Sequence, residues 1–449
     1  MKIAILGGGL TGLTAAYYLS KKKHQITVFE KEKILGGMAA GFKTKNWDWH
    51  LEKTVHHLFA NDREILNLAK EIGFNKIFFR APETASLYQI SKTSFDKLKT
   101  ASKIEGQIKN KKYSIYTLAS PRDLLKFPLL SWKDKLNAGL VLAFLKLSPP
   151  LKLFEATTAE KFLVKFMGKN NWEVLWQELF RKKFGKYAGN ILASFIWARV
   201  KKRTKKLGYI AGGFQNLINH IEEKLINSKV NLLKGYEIKR IEKKEDGFII
   251  DGEVFNAVIS TLPTPILIQI AKQILPKAFI SRLSKVQFLH AISLVIESEK
   301  PIFNKTYWMN ILAREIPIMG LFQQTNFIDK INYDNKHILY CGWYTTENDK
   351  LWLMGKDEII DYISPYLNKI SNPSPRGRLP LGRKFKFTNS WLFKIRFAQP
   401  IFDKEFLKNK PEFITPVKNF YLATLDMTYP YDRGTNFAVK LGKEAAVMI

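Results

Sequence analysis

The sequence predicts an α/β fold: strands alternate with helices at both ends of the chain and over a middle stretch, as in a parallel sheet. Three observations carry this. An apolar strand runs into a glycine-rich turn and then a helix at the start of the chain. The strand–helix rhythm lapses after residue 80 and returns over residues 205–270. A last apolar strand followed by an apolar helix closes the chain. Strands alternating with helices build a parallel sheet covered on both faces.

Ile3-Ala4-Ile5-Leu6 is wholly apolar, as a strand buried on both faces requires. It enters Gly7-Gly8-Gly9-Leu10-Thr11-Gly12, and Leu13, Ala16, Tyr17 and Leu19 continue at helical spacing up to Lys21-Lys22-Lys23. A second strand, Gln25 to Phe29, ends in Glu30. Gly7 permits the tight turn, Gly9 lets a pyrophosphate approach the backbone, and Gly12 lets the helix close on the strand. The helix start at Leu10 and Thr11 offers unpaired N–H groups and a positive dipole end to the phosphates. Glu30 follows Gly12 by 18 residues. There its carboxylate can accept from both ribose hydroxyls, and it would repel a 2′-phosphate. Together these features describe a Rossmann-like dinucleotide site.

A second glycine pair comes next, in Gly36-Gly37-Met38-Ala39-Ala40. The stretch from Ile3 to Met38 resembles the extended fingerprint of the flavin amine oxidase superfamily, which includes protoporphyrinogen oxidase and phytoene desaturase. The resemblance implies a discontinuous Rossmann-like FAD-binding domain with an α+β substrate domain carrying a helical insertion. It implies non-covalent FAD, with Lys31, Gly36, Gly37 and Met38 joining the cofactor-binding set. The tethering cysteine of some amine oxidases has no counterpart near the C-terminus, since Cys341 lies well before that segment. Two departures stand out. Lys23 occupies a position that is usually glycine, and Met38 one that is often arginine.

The same resemblance extends to later segments. The expected FAD-binding domain comprises 1–80, 205–270 and 410–449. A mainly helical, substrate- or membrane-facing part is expected over 81–204, and a substrate domain with a mixed sheet over 271–409. Gly212-Gly213-Phe214 opens a helix, a strand is expected over Gly235 to Ile241, and a hairpin passes through Asp246-Gly247 and Asp251-Gly252. By resemblance, Ile238 meets the adenine side and Thr261-Leu262-Pro263 turns beneath the dinucleotide. The strand Phe420 to Thr424 precedes Asp426, the expected ribityl contact. Arg433, Gly434, Asn436 and Phe437 then lead into a helix aimed at the flavin pyrimidine ring. Such a dipole stabilises negative charge on the reduced ring.

Catalytic candidates are fewer. Asn61-Asp62 reads as the cap of a helix from Arg63 to Ile72. Just before it, His56 and His57 stand in a His-His-apolar-Phe segment resembling one of the protoporphyrinogen-oxidase-like branch. They face the substrate or form an ordinary packed pair. A base there would titrate near neutral pH. Trp391 and Gln399 lie on an aromatic strand whose Ala-Gln-Pro ending, in the family, lines the cavity before the flavin. Aromatic walls suit an apolar or polycyclic substrate. Pro373-Ser374-Pro375 marks a loop.

Composition narrows the partners. Seventy-two Lys and Arg against forty Asp and Glu give a net charge of +32 over 449 residues. That favours anionic partners, yet the lysines are spread along the chain and form no nucleic-acid module, so no nucleic acid is expected. One cysteine excludes an internal disulfide and a Cys-based zinc cluster, and adjacent histidines without acid or thiol partners make a poor metal site. The start lacks a signal peptide's pattern and no stretch has the length of a spanning helix, so a cytoplasmic protein is expected. Residues 127–154 are Leu-rich with flanking lysines. They suit either a buried helical layer or a peripheral helix on the cytoplasmic membrane face.

Three functions compete. The first is hydride transfer from an apolar or polycyclic substrate carbon to flavin N5. The second is a non-redox flavoenzyme resembling UDP-galactopyranose mutase, which would need prior reduction. The third is a flavin-binding membrane-surface protein without turnover.

Overall fold

A computed structural model describes residues 1–89, 113–371 and 385–449; the loop expected at Pro373–Pro375 lies outside them. The chain divides into two compact units. The first comprises Met1–Phe79, Lys206–Phe288 and Phe397–Ile449, the second Arg80–Lys205 and Leu289–Arg396.

The first unit is built on a five-stranded parallel sheet. Its elements are β1 (Lys2–Leu6), α1 (Leu10–Ser20), β2 (Gln25–Glu30), α2 (Arg63–Glu71), α3 (Phe214–Asn227), β3 (Asn231–Lys234), β4 (Ala257–Ser260), β5 (Phe420–Leu422) and α4 (Thr435–Val447). The strand order is β3-β2-β1-β4-β5. Ile3 pairs with Ile26 on one side and Ala257 on the other, and Val258 pairs with Phe420. Ile3, Ala4, Ile5 and Leu6 have no exposed surface, which is why the strand carries no polar alternation. The two ends of the chain meet here: α4 lies on α1, and a Cβ on Gly442 would stand 2.3 Å from the Thr11 carbonyl oxygen. Lys23, at the usual glycine position, takes φ +61°, a left-handed turn before β2.

Two expectations change in this unit. Gly235 to Ile241 is not a strand; the strand is β3, just before it. Gly235 has φ +72°, and the Gly235 and Tyr236 amides donate to the Glu32 and Glu30 carbonyls, which turns the chain away from the sheet. The hairpin region becomes a three-stranded antiparallel sheet, Glu242–Lys244, Gly247–Ile250 and Glu253–Phe255. Asp62 precedes α2 but does not cap it; its carboxylate accepts from the Phe59 amide instead.

The second unit holds a seven-stranded mixed sheet running from Asn389–Pro400 at one edge to Tyr113–Thr117 at the other. Glu83–Gln89 pairs parallel to Thr306–Ile311 and antiparallel to Tyr113–Thr117. The stretch after residue 80 is therefore strand before it is helix. One of its two pairing partners lies more than two hundred residues away, beyond the reach of local periodicity. The helix Lys356–Ser371 contributes Ile359, Ile363 and Leu367 to the core over the sheet. Cys341 sits fully buried in that core.

Helices Trp132–Leu147, Ala159–Met167, Glu178–Phe184 and Ala193–Lys202 form the helical part. Two lysines tie it together reciprocally. Lys146 Nζ donates to the carbonyls of Val200, Lys201 and Arg203, and Lys201 Nζ to those of Lys146, Leu147 and Ser148. Each cation satisfies the open C-terminal carbonyls of the other's helix. Among the described residues, no helix is long and apolar enough to cross a membrane, and no group of three His, Cys, Asp or Glu is placed to hold a metal.

Candidate functional site: a dinucleotide cradle

The glycine turn follows β1 at the centre of the sheet. Gly7 has φ +105°, and a Cβ there would stand 2.6 Å from Thr261 Oγ1. Thr261 braces this turn: its amide and hydroxyl both donate to the Leu6 carbonyl, at 2.9 and 2.8 Å. A Cβ on Gly12 would lie 2.0 Å from the Gly7 carbonyl oxygen, so glycine alone lets α1 sit this close to the turn. The helix starts at Gly9 with no side-chain cap, which leaves its first amides to a ligand.

The second glycine pair comes to the first. Gly36 N–H donates to the Gly8 carbonyl at 2.8 Å, and a Cβ on Gly37 would be 3.2 Å from Gly9 Cα. Gly8, outside the three-glycine pattern, positions the acid: its amide donates to Glu30 Oε2 at 2.8 Å. The Glu32 amide donates to Glu30 Oε1 at 2.9 Å. Each carboxylate oxygen keeps a further lone pair for a ribose hydroxyl. Lys31, by contrast, is an exposed lysine beside Glu32. Ile238 is buried with Phe29 and Phe248.

Asp426 lies in the turn after β5, with no exposed surface. Thr264 Oγ1 donates to its Oδ2 at 2.8 Å and Thr424 Oγ1 to its Oδ1. Burial raises its pKa, and the two threonine bonds pull it back down. Pro263 opens the short helix Thr264–Ile270 and so delivers Thr264 to this carboxyl.

The helix α4 begins at Gly434 without a side-chain cap. The Phe437 amide donates to the Gly434 carbonyl at 3.1 Å, so the amides at the helix start are those of Thr435 and Asn436, a correction to the expectation for Phe437. The Phe437 ring stacks on Tyr431 at 4.6 Å. Asn436 also serves α2. Its Oδ1 accepts from the Glu64 amide at 2.9 Å, supplying the cap that Asp62 does not. Arg433 Nη1 lies 3.4 Å from Met38 Sδ. A guanidinium therefore stands beside the position where arginine was expected, brought from the far end of the chain.

His56 Nδ1 is 2.7 Å from the Thr54 carbonyl, so this nitrogen carries the proton and Nε2 keeps the lone pair. Desolvation pushes its pKa down to about 4, with the Thr54 bond opposing and Arg433 assisting. At neutral pH the imidazole is a neutral acceptor. Its ring contacts Phe214 at 5.6 Å, while His57 stands edge-on to Phe59 at 5.3 Å. Gln399 is fully buried, with Nε2 on the Pro400 carbonyl and Oε1 without a partner among the described residues. Trp391 belongs to the second unit, whereas the two histidines and Gln399 belong to the first.

Sequence reasoning missed Gly8, Thr264, Thr424 and Glu52. Glu52 is fully buried, accepting from Tyr209 O–H at 2.6 Å and from the Phe214 amide at 2.7 Å, at the start of α3. Burial raises its pKa to about 7.

These residues fit FAD. Two uncapped helix starts in one unit, a turn at Gly7 and Gly12 that leaves no room for a Cβ, and a carboxylate at the tip of β2 match a dinucleotide. Asp426, the expected ribityl contact, is instead fully enclosed and fixes the turn after β5 through Thr264 and Thr424. Cys341 lies in the core of the other unit, where burial pushes its thiol pKa up, and it is no candidate tether.

Comparison with known proteins agrees. The family described as "Flavin containing amine oxidoreductase" matches residues 10–449. A 15-cis-phytoene desaturase of Synechococcus elongatus is 29% identical over 31% of this chain and 27% of its own length. A chloroplastic/chromoplastic 15-cis-phytoene desaturase of Capsicum annuum is 24% identical over 82% of this chain and 64% of its own. The chain thus spans less than two thirds of either relative. An oxidoreductase from Methanosarcina mazei shares the fold at TM-score 0.73, 18% identity and full coverage of both chains. A reduced UDP-galactopyranose mutase does so at TM-score 0.70 and 15% identity, covering 99% of this chain and 93% of the other. With the α/β fold, the cradle and a family match over nearly its whole length, the chain belongs to the flavin-containing amine oxidoreductases, with non-covalent FAD as its cofactor.

Proposed function

We propose that this protein oxidises an apolar substrate at a carbon–carbon or carbon–heteroatom bond, using His56 as the proton acceptor. The observation that carries the reading is the neutral imidazole of His56, held by Thr54 with its Nε2 lone pair available, in the unit that forms the cradle. Relatives described as phytoene desaturases support the apolar substrate class. Bound FAD supplies a two-electron hydride acceptor.

The chain's own residues do the rest. The α1 start and Gly9 would hold the pyrophosphate and Glu30 the adenosine ribose, while the enclosed Asp426 braces the turn after β5 through Thr264 and Thr424. The α4 start and Arg433 offer positive potential to the ring end. As a hydride leaves one substrate carbon, His56 Nε2 takes the proton from the adjacent atom, so the substrate loses two electrons and two hydrogens and gains a double bond. Asp426 and Gln399 are buried polar groups that orient rather than react.

The test is anaerobic bleaching of the yellow holoprotein by detergent-dispersed polyenes and polycyclic reduced compounds. His56→Gln should slow bleaching by about 10² or more with an unchanged flavin spectrum. Equal bleaching rates would remove His56 from the reaction. Turnover of a nucleotide sugar only after reduction with dithionite, with no bleaching by any apolar donor, would replace the oxidation reading by the isomerase one.

A further inference from the structure

The helix Trp132–Leu147 is apolar on both faces. One face, Ala138, Val141 and Leu145, is buried in the second unit. The opposite face is Trp132, Leu136, Leu140, Phe144 and Leu147, and these side chains are 71, 65, 62, 45 and 81% exposed. Their spacing of four, four, four and three residues is one stripe, about 22 Å long at 1.5 Å per residue. Scattered exposed leucines need no explanation, whereas a continuous stripe of this length marks a contact surface.

The surroundings indicate the partner. Residues 121–152 carry six basic and two acidic side chains. Both acids, Asp123 and Asp134, are engaged in capping boxes with Ser120 and Ser131. Arg122, Lys126, Lys133 and Lys152 are exposed. Lys135 lies over the Trp132 ring at 5.0 Å, an amphipathic pair suited to a boundary between apolar and polar phases. An apolar stripe edged by cations complements an anionic lipid surface. A second copy of a chain with net charge +32 would bring like charge to the same place. The helix is too short and too charged to span a bilayer.

We infer that this helix docks the protein on anionic bilayers, lying in the plane of the interface with its Trp132–Leu147 stripe among the acyl chains. This goes beyond the flavin reading and does not rest on it.

Vesicle flotation of the FAD-loaded protein tests it. Phosphatidylcholine vesicles with about one third phosphatidylglycerol should bind the protein about tenfold better than pure phosphatidylcholine. Leu136→Gln with Leu140→Gln should lower that binding by about tenfold or more while the flavin spectrum is retained. A control pair at other exposed sites, Ile331→Gln with Leu353→Gln, should bind like the parent. Quenching by brominated lipid, read as the difference between the parent and Trp132→Phe, examines the same contact without polar substitutions and should be positive. Absent binding, equal binding to neutral vesicles, unchanged binding by the leucine pair, or a dimer that the leucine pair splits would each overturn the inference.

Discussion

Replacing Glu52 by Gln should change how stability depends on pH. Burial lifts this carboxyl from 4.5 to about 7, against the opposing hydrogen bonds from Tyr209 and Phe214. The folded chain therefore keeps a proton that the unfolded chain has lost over that window. More protons bound in the folded state means that stability falls as pH rises from about 4.5 to about 7 and levels off above. The shift is worth about 3 kcal/mol, an upper figure for a fully enclosed group. Glutamine keeps the shape and an acceptor, gives Tyr209 a donor, and has no proton to lose. The variant should trail the parent by about 1 kcal/mol at acidic pH, where a good hydrogen bond is weakened. It should lead by about 2 kcal/mol above neutrality, where the parent carries a buried charge. Urea unfolding of the FAD-loaded proteins, followed by tryptophan fluorescence across this range, gives the comparison. The informative quantity is the difference between the two proteins, because His56 slopes the other way. Its pKa is depressed to about 4, so the stability it contributes is lost as pH falls from 6.5 towards 4. A difference that does not change with pH would refute the assignment of Glu52 as a proton-holding buried acid.

Three further outcomes follow from the packing. Asn436→Ala removes the cap on α2 and should cost about 1 kcal/mol in thermal unfolding, with Asn436→Asp restoring most of it. Gly442→Ala pushes a methyl against the Thr11 carbonyl 2.3 Å away; α1 must shift, and both stability, by about 1–3 kcal/mol, and FAD affinity in a fluorescence titration should fall. Lys182 Nζ lies within hydrogen-bond distance of the carbonyls of Ile311, Ala313, Ile316 and Ile318, at 2.7 to 3.2 Å, and its three protons are shared among them, so Lys182→Met leaves that loop's acceptors unpaired and should cost about 2 kcal/mol or more in urea unfolding.

The dinucleotide cradle was legible because its constraints are local. A strand, a tight turn and a helix start must follow one another within a dozen residues, and Gly7 and Gly12, where a Cβ would clash, show that requirement in one dimension. Glu30 was legible for the same reason, standing at the tip of the next strand. The parallel sheet with its returning segments and the family were recognisable from that motif together with the final strand and helix. What escaped were partnerships over long distances in sequence. Nothing near Asp62 reveals that α2 takes its cap from Asn436, 374 positions later. Nothing near Met38 shows that Arg433 restores a cation there. The strand Glu83–Gln89 is decided by its pairing with Thr306–Ile311, and β3 displaces the expected Gly235–Ile241 strand because backbone bonds to Glu30 and Glu32 turn the chain there.

The sequence by itself determined the phosphate turn, the ribose acid and the strand–helix frame, since steric and dipolar requirements act between near neighbours. Only the tertiary structure decided which polar groups are satisfied by whom, which histidine nitrogen carries the proton, and which face of the helix Trp132–Leu147 is left exposed. Burial is a property of packed elements, and desolvation, the force behind the shifts at Glu52 and His56, exists only once they are packed.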